Sequence, residues 1–251
     1  MLVQHPDLID PIASAPCQPP ARAGHCHGVD DRTMLQRETD DVDRHIARIA
    51  EEFRAGFEAV ARIDRPAVAV FGSARLPETD PWCSLAVETA AGFAREGFAV
   101  VTGGGPGVME AANRGAQQAG GLSVGFNIEL PNEQASNAYL DISHTFHHFY
   151  ARKTMFVKAT EGFVVFPGGF GTLDELFESL VLIQTGKIRH FPVVLFGRAH
   201  WDPMLEWIHG RVLAERLISP EDLRLLTVTD DPAGTVRSVV DCYRRECAHV
   251  S

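Results

Sequence analysis

The chain has 251 residues, of which 45% are hydrophobic and 22% are charged, and these values are ordinary for one globular domain with a sizeable core. Its formal net charge of −10 argues against nucleic acid as a partner, because proteins that bind nucleic acid carry basic surfaces. The five cysteines are irregularly spaced and no apolar stretch reaches the ~20 residues that cross a bilayer, so we expect a cytoplasmic protein without a disulfide framework, a zinc ribbon or a membrane partner.

The N-terminal part of the chain is predicted to be a tail followed by a helix. Residues 1–36 are rich in Pro, Ala and His and show no periodicity, which is typical of a disordered or loosely attached segment. Residues 40–62 place apolar side chains at helical spacing after a start rich in aspartate, and this pattern predicts an amphipathic helix. We therefore expect a tail at 1–36 and a single domain at 37–251 that includes this extra helix.

Short apolar runs typical of strands alternate with amphipathic stretches typical of helices through the rest of the chain. This alternation predicts an α/β, Rossmann-like fold, a doubly wound parallel sheet with right-handed crossovers and helices on both faces. The predicted strands are 66–71, 98–102, 122–128, 142–146, 162–166, 191–196 and 225–228, and the predicted helices are 82–96, 108–119, 149–160, 172–184, 201–213 and 232–247.

Three glycine-bearing loops, at 72–75, 103–107 and 167–171, each follow a predicted strand. Ligands of parallel sheets bind at the carboxyl ends of the strands, so we expect these loops to converge on one rim. The loop at 103–107 lacks the G-x-G-x-x-G spacing of a dinucleotide site, and neither glycine cluster has the Gly-Lys-Ser/Thr of a P-loop. NAD binding and ATP hydrolysis are therefore disfavoured.

The run from Phe166 to Glu175 is the most informative segment, because it joins a buried strand to a helix through glycines. The glycines permit close backbone approach, and the N–H groups at a helix start bind anions. We expect Thr172 to cap the helix or donate to a phosphate, and Glu175 to lie in the first helical turn beside that anion. A phosphate site with a carboxylate at its edge predicts chemistry on a phosphorylated substrate.

These segments together resemble the Lonely Guy (LOG) family. The run 167–175 is similar to its P-G-G-x-G-T-x-x-E signature, Arg152-Lys153 to its R-K pair, and 103–109 to its G-G-G-x-x-G-L-M loop. Gly72-Ser73 also fits, and the extra helix resembles the longer bacterial branch. LOG proteins are cytokinin riboside 5′-monophosphate phosphoribohydrolases, so the resemblance implies hydrolysis of the N-glycosidic bond of an N6-modified adenosine monophosphate to free base and ribose 5-phosphate. The "lysine decarboxylase" label of many relatives gains no support, since no lysine lies in a recognisable pyridoxal-phosphate site.

The resemblance also implies roles for particular residues. Glu175 matches the family's catalytic glutamate, which would stabilise the positive charge that builds up on the ribose and orient or deprotonate water. Arg152 matches its catalytic arginine, which would hold the carboxylate or the nucleotide. The other implied substrate-binding positions are Gly72, Ser73, Gly104, Gly105, Glu133, Lys153, Gly168, Gly169, Phe170, Gly171 and Thr172.

Partners and cofactors follow from the same resemblance. Family dimers build each active site from both subunits, which implies a homodimer or a larger homo-oligomer that binds a small nucleotide. Val181 stands where plant members have a threonine contact, so the resemblance does not specify which side group of the base this chain recognises. No cofactor or metal is expected, and His144, His147 and His148 are interpreted as surface or interface residues, because no carboxylate or thiolate accompanies them at helical spacing.

Three other interpretations stay open from the sequence. The first is a broader nucleosidase that acts on AMP or other nucleoside 5′-monophosphates. The second is a non-catalytic carrier of a nucleotide or the molybdenum cofactor, which would not need Arg152 and Glu175. The third is a single-strand DNA binder, which the negative charge disfavours.

Overall fold

The computed structural model describes residues 42–130, 136–188 and 191–247, so the predicted tail at 1–36 lies outside the described residues. Within them, the helix Arg198–Trp207 continues into a wider π-helical turn at Ile208–Leu213, and a 3₁₀ turn at Asp222–Leu225 precedes the last strand. The helices are α1 (Val42–Ala61), α2 (Pro81–Arg95), α3 (Val108–Gln118), α4 (Phe149–Ala159), α5 (Phe170–Gln184), α6 (Arg198–Trp207) and α7 (Pro232–Cys247). The strands are β1 (Ala67–Phe71), β2 (Ala99–Thr102), β3 (Ser123–Ile128), β4 (Ile142–Phe146), β5 (Phe163–Val165), β6 (Val193–Phe196) and β7 (Leu226–Thr229).

The strands form one parallel sheet in the order β4-β3-β2-β1-β5-β6-β7. The central strands β1, β2, β5 and β6 consist mainly of small, β-branched and aromatic residues, and all of them are buried. Continuous apolar runs of this kind suit strands that are covered on both faces. The sheet confirms the predicted α/β, Rossmann-like fold.

Two apolar layers lie on opposite faces of this sheet. Ala69 and Phe71 of β1 point into a layer that side chains of α1, α4, α5 and α6 complete. Val68 and Val70 point to the other face, where α2, α3 and α7 supply the packing residues. This alternation along β1 is the two-residue period of a strand. None of the described helices is both long and apolar enough to cross a bilayer.

The sheet has a switch point at β1, where the connections change direction. From β1 the chain proceeds outward through β2 and β3 to β4, and it then returns to place β5 on the other side of β1. The loops that leave β1 and β5 therefore separate toward opposite faces and open a crevice at their carboxyl ends, which is where doubly wound sheets bind ligands. The N–H of Ser73 donates to the carbonyl oxygen of Pro167 at 3.0 Å and ties the two loops together.

The start of α5 differs from the sequence-based expectation. The helix begins at Phe170 with Gly169 as its N-cap, so Thr172 lies inside the first turn and the prediction that it caps the helix was wrong. Thr172 is buried against Gly168, which explains why its hydroxyl is not at the capping position. Glu175 consequently lies in the second turn of α5, not in the first.

Helix α1 contributes a buried carboxylate to the beginning of α4. Glu52 accepts hydrogen bonds from the backbone N–H groups of His147 and His148, the latter at 3.1 Å, and from the His148 ring. The N-cap residue of α4, His148, supplies no side-chain cap of its own. Burial by itself would raise the pKa of Glu52, but these hydrogen bonds outweigh it and lower the pKa. Glu52 therefore caps α4 from a different helix.

We expect Glu52→Ala to lower the free energy of unfolding at pH 7 by about 2–4 kcal/mol, because His148 and two N–H groups lose a charged acceptor. Since the folded-state pKa of Glu52 is lowered, its contribution is present above the usual glutamate pKa and disappears as pH falls through the folded value. Urea unfolding at pH 7 and at acidic pH measures both effects. The matched control is Glu51→Ala, which removes an exposed carboxylate and should change stability by less than about 0.5 kcal/mol. Equal losses in the two variants would contradict the capping role.

Candidate functional site

A cavity of about 650 Å³ opens at the carboxyl ends of the strands, at the switch point beside β1 and β5. Its volume is in the range of small-molecule binding sites. The three glycine loops predicted to converge on one rim all contribute to its wall. The described residues that line it are Phe71, Gly72, Ser73, Ala74, Arg75, Gly103, Gly105, Met109, Asn127, Ile128, Leu130, Phe149, Arg152, Gly169, Phe170, Gly171, Thr172, Leu173 and Glu175.

The start of α5 forms one wall of the cavity. Its N-cap, Gly169, offers no side-chain acceptor to the N–H groups of the first turn, and residues 169–172 line the cavity. A helix start of this kind presents N–H donors and a partial positive charge to an anion. Gly168 packs behind Thr172 and is outside the lining. Phe170 is 91% exposed at the mouth.

The loop after β1 forms the opposite wall. Gly72 and Ser73 line the cavity as predicted from their position after the strand, and the next residues, Ala74 and Arg75, line it as well. The backbone N–H of Arg75 donates to the Ser73 hydroxyl at 3.1 Å, and the Ser73 carbonyl accepts from the N–H of Val108 at 3.0 Å. The loop is thus fixed to the start of α3, with the exposed Arg75 side chain beside the opening.

The loop after β2 is held from behind by polar side chains. Gly104 has φ of +70°, its N–H donates to the Thr102 hydroxyl at 2.9 Å, and its carbonyl accepts from the N–H of Asn137 at 2.8 Å. The Asn127 amide nitrogen donates to the carbonyls of Gly103 and Gly104, both at 3.2 Å. Gly105 and Gly103 line the cavity, but Gly104 faces this supporting network and does not. The geometry therefore gives Gly104 a part in shaping the loop.

Arg152 projects from α4 into the floor of the cavity. Its Nε donates to the carbonyl oxygen of Phe126 at 2.8 Å, and its guanidinium lies 5.2 Å from the ring centre of Phe156. A Cβ at Gly103 would overlap the guanidinium, so glycine is required there for the arginine to fit. Burial lowers the pKa of Arg152, which still remains protonated at neutral pH. The result is a fixed, partly buried cation in the cavity wall.

Among the described residues that line the cavity, Glu175 supplies the carboxylate. It lies on α5 and is only 7% exposed. Burial raises its pKa to about 7, with Glu178 and Asp174 acting in the same direction and Arg152 and Lys153 acting against it. At neutral pH the group therefore exchanges readily between its protonated and ionised forms, which suits a general acid or base.

Lys153, for which the resemblance implies a substrate contact, is placed differently. Lys153 does not line the cavity, because its ammonium forms ion pairs with Asp174 and Glu178 of α5 at 2.9 and 2.8 Å. Among the described residues no lysine lines the cavity, so the site has no described amine for a pyridoxal Schiff base. Glu133 lies outside the described residues.

Sequence reasoning missed several residues of the cavity wall. Arg75 lies two residues after Ser73 and could have been included with Gly72 and Ser73 as a binding residue, because the whole loop leaves the carboxyl end of β1. Asn127 is the penultimate residue of β3, a position at which polar side chains of a parallel sheet often face the ligand. Met109 ends the run 103–109 that resembles the family's glycine loop, but it was given no substrate contact. Phe149 gave no signal, since apolar residues at helix starts usually pack in the core.

The histidine cluster lies elsewhere, beside α1. His147 pairs with Glu129 and is exposed. His148 is buried with Glu52 inside the chain, so the interpretation of the histidines as surface or interface residues was wrong for His148. Burial lowers the pKa of the half-buried His144. In the part of the chain that the structure describes, no group of three or more His, Cys, Asp or Glu side chains is arranged to hold a metal ion.

Comparisons with known proteins place this geometry in context. The profile of a family described as "Possible lysine decarboxylase" matches residues 109–239, which include Arg152 and Glu175. The cytokinin riboside 5′-monophosphate phosphoribohydrolase of Mycobacterium tuberculosis is 30% identical over 161 residues, 61% of this chain and 83% of that protein. The protein of the same name from Rhodococcoides fascians is 27% identical over 186 residues, 72% of this chain and 92% of that protein. The solved structure of the Moco carrier protein from Chlamydomonas reinhardtii is similar with a TM-score of 0.51 at 26% identity, over 72% of this chain and 99% of that chain.

Proposed function

This chain belongs to the Lonely Guy (LOG) family of phosphoribohydrolases, and we propose that it hydrolyses the N-glycosidic bond of N6-modified adenosine 5′-monophosphates. The products are the free cytokinin base and ribose 5-phosphate. The observation that carries the proposal is a partly buried arginine and a buried carboxylate with a raised pKa, both in one cavity beside a helix start suited to a phosphate. We propose that the reaction takes place in the cytoplasm, which the irregular cysteine spacing supports.

The start of α5 would hold the 5′-phosphate. The backbone N–H groups of residues 170–172 supply donors, and Ser73 and Arg75 lie on the facing wall. Because the phosphate is remote from the bond that breaks, its binding energy fixes the ribose in position and lowers the entropic part of the barrier. We propose that the sugar then lies beside Glu175, which lines the same cavity.

Glu175 would act on the ribose in its ionised form. Cleavage of an N-glycosidic bond builds positive charge at the anomeric carbon, and a carboxylate in a water-poor site stabilises that charge strongly. The same carboxylate accepts the proton of the attacking water as the new C–O bond forms. Arg152 supplies a positive charge that lowers the pKa of Glu175 against the larger effect of burial, and so favours the ionised form, and it orients Glu175 or the nucleotide.

A second copy of the chain would complete the site. Helix α5 carries an apolar face next to the cavity, with Phe170, Phe177 and Val181 exposed by 91%, 41% and 54%. A single exposed apolar side chain is ordinary, but several on one helix beside a cavity indicate an interaction surface. We propose a homodimer, or a larger homo-oligomer built from it, in which the partner packs over α5.

Product release from isopentenyladenosine 5′-monophosphate and from AMP, with Glu175→Ala as the inactive control, tests the proposed function. We expect free base and ribose 5-phosphate from the modified nucleotide at about tenfold or greater kcat/KM over AMP, since one well-filled apolar pocket discriminates by this factor. Comparable turnover of AMP would indicate a broader nucleoside-monophosphate nucleosidase. Tight nucleotide binding without any turnover would favour a carrier, the function named for the Chlamydomonas neighbour.

A further inference from the structure

Lys153 connects α4 and α5, the two helices that carry Arg152 and Glu175. Arg152 and Lys153 are consecutive on α4, and Asp174 and Glu175 are consecutive on α5. Consecutive residues of an α-helix point about 100° apart, so α4 can direct one member of its pair into the cavity while the other points to a neighbouring element. Arg152 lines the cavity, and Lys153 contacts α5.

The ion pairs of Lys153 have a geometry that holds one ammonium firmly. Asp174 and Glu178 are four residues apart and lie on the same side of α5, so the Lys153 Nζ reaches both, at 2.9 and 2.8 Å. The side chains of Lys153, Glu178 and Asp174 are 18%, 33% and 53% exposed, so solvent screens the pair with Glu178 less than an ordinary surface pair, and it screens the pair with Asp174 more than the pair with Glu178. Side chains of α4 and α5 also share the apolar layer on that face of the sheet, and the Lys153 bridge adds a polar link between the two helices at the level of Arg152 and Glu175.

We propose that Lys153 is a positioning residue, which fixes α4 against α5 so that Arg152 and Glu175 share one cavity, and which does not itself contact the substrate. The inference rests on the proposed function for its kinetic consequences, but not for its structural ones. It replaces the direct substrate contact that the family resemblance implies for this lysine.

The charges around Glu175 make the bridge measurable. From α4, Arg152 and Lys153 lower the pKa of Glu175, and from α5, Glu178 and Asp174 raise it, while burial is the largest influence. Loss of Lys153 removes one cation and also leaves two carboxylates without their partner. Both changes raise the pKa of Glu175, whereas loss of the Glu178 charge lowers it.

The experiment compares Lys153→Met, Lys153→Arg and Glu178→Gln with the wild-type protein. The first readout is the titration of the Glu175 carboxyl carbon by NMR of protein labelled with ¹³C at glutamate, with Glu175→Gln identifying the signal. We expect the midpoint to rise in Lys153→Met, to fall in Glu178→Gln and to stay near the wild-type value in Lys153→Arg. This readout requires no turnover, so a failure of the proposed function and a failure of this inference give different results.

The second readout is steady-state kinetics with isopentenyladenosine 5′-monophosphate. For Lys153→Met we expect kcat to fall by about 10- to 100-fold, KM to change less than about threefold, and the acidic limb of the pH profile to move with the NMR midpoint. Lys153→Arg should recover most of kcat. A Glu175 midpoint that is unchanged in Lys153→Met would overturn the proposal, as would a tenfold or greater rise in KM with kcat and the pH profile intact. Circular dichroism and thermal unfolding establish that each variant is folded.

Discussion

Glu175→Gln is expected to reduce kcat for the modified nucleotide by about 10³-fold while substrate affinity stays within about threefold. The amide keeps the shape of the side chain but cannot carry the negative charge that stabilises the ribose or accept a proton from water. Single-turnover kinetics and equilibrium binding of the nucleotide separate the two quantities. The matched control is Glu206→Gln, which alters an exposed carboxylate on α6 outside the cavity lining and should keep kcat within about twofold of the wild-type value.

The same variant should be more stable than the wild-type protein at pH 8. The pKa of Glu175 is raised to about 7 in the folded state, so its stabilising contribution is present below the unfolded pKa and is lost as pH rises through about 7. Each pH unit between the two values corresponds to about 1.4 kcal/mol, and we expect a gain of about 2–3 kcal/mol in Glu175→Gln at pH 8 and almost none at pH 4. Equal stability of Glu175→Gln and the wild-type protein at pH 8 would show that burial does not destabilise the ionised Glu175. A kcat of Glu175→Gln close to the wild-type value would show that Glu175 has no catalytic role.

Arg152→Lys is expected to lower kcat/KM by about 10²-fold or more, although lysine retains the positive charge. The guanidinium uses Nε to bond the Phe126 carbonyl and lies along the Phe156 ring and beside Gly103. A lysine ammonium has no planar fork to satisfy the carbonyl and face the cavity at the same time. Steady-state kinetics with the modified nucleotide measure the loss.

A control for Arg152→Lys is Arg237→Lys. Arg237 is an exposed arginine of α7 that pairs with Asp231, and its replacement should leave kcat/KM unchanged within about twofold. If Arg152→Lys retained wild-type kcat/KM, a point charge at that position would be sufficient. The precise packing of the guanidinium under the second glycine loop would then have no catalytic consequence.

The sequence alone identified the architecture and most of the cavity wall, for a physical reason. Parallel strands place all their carboxyl ends on one edge, so loops that follow strands must meet there whatever their separation in the chain. This is why residues as far apart as Gly72, Gly105 and Thr172 could be assigned to one rim and are found in one cavity. The prediction needed the order of elements but no side-chain detail.

What the sequence left out depends on side-chain direction and on partners distant in the chain. The start of α5 was misplaced because Thr172 has a strong capping preference, whereas Gly169 takes the position. The pairing of His148 with Glu52 joins residues nearly a hundred positions apart, on elements whose contact no local pattern reveals. Lys153 could have been separated from Arg152 in advance, because neighbours on a helix do not face the same way.

The central position of β1 also has a consequence for how the protein acquires its binding capacity during folding. Its pairing with β5 joins segments about ninety residues apart, whereas its pairing with β2 joins segments about thirty residues apart. The loop-closure entropy of the longer connection disfavours early formation, so we expect β1 to β4 to associate first and the crevice at β5 to appear late. Recovery of nucleotide binding in a refolding experiment should therefore follow the slowest major phase, and a bound nucleotide should suppress global unfolding more than local fraying.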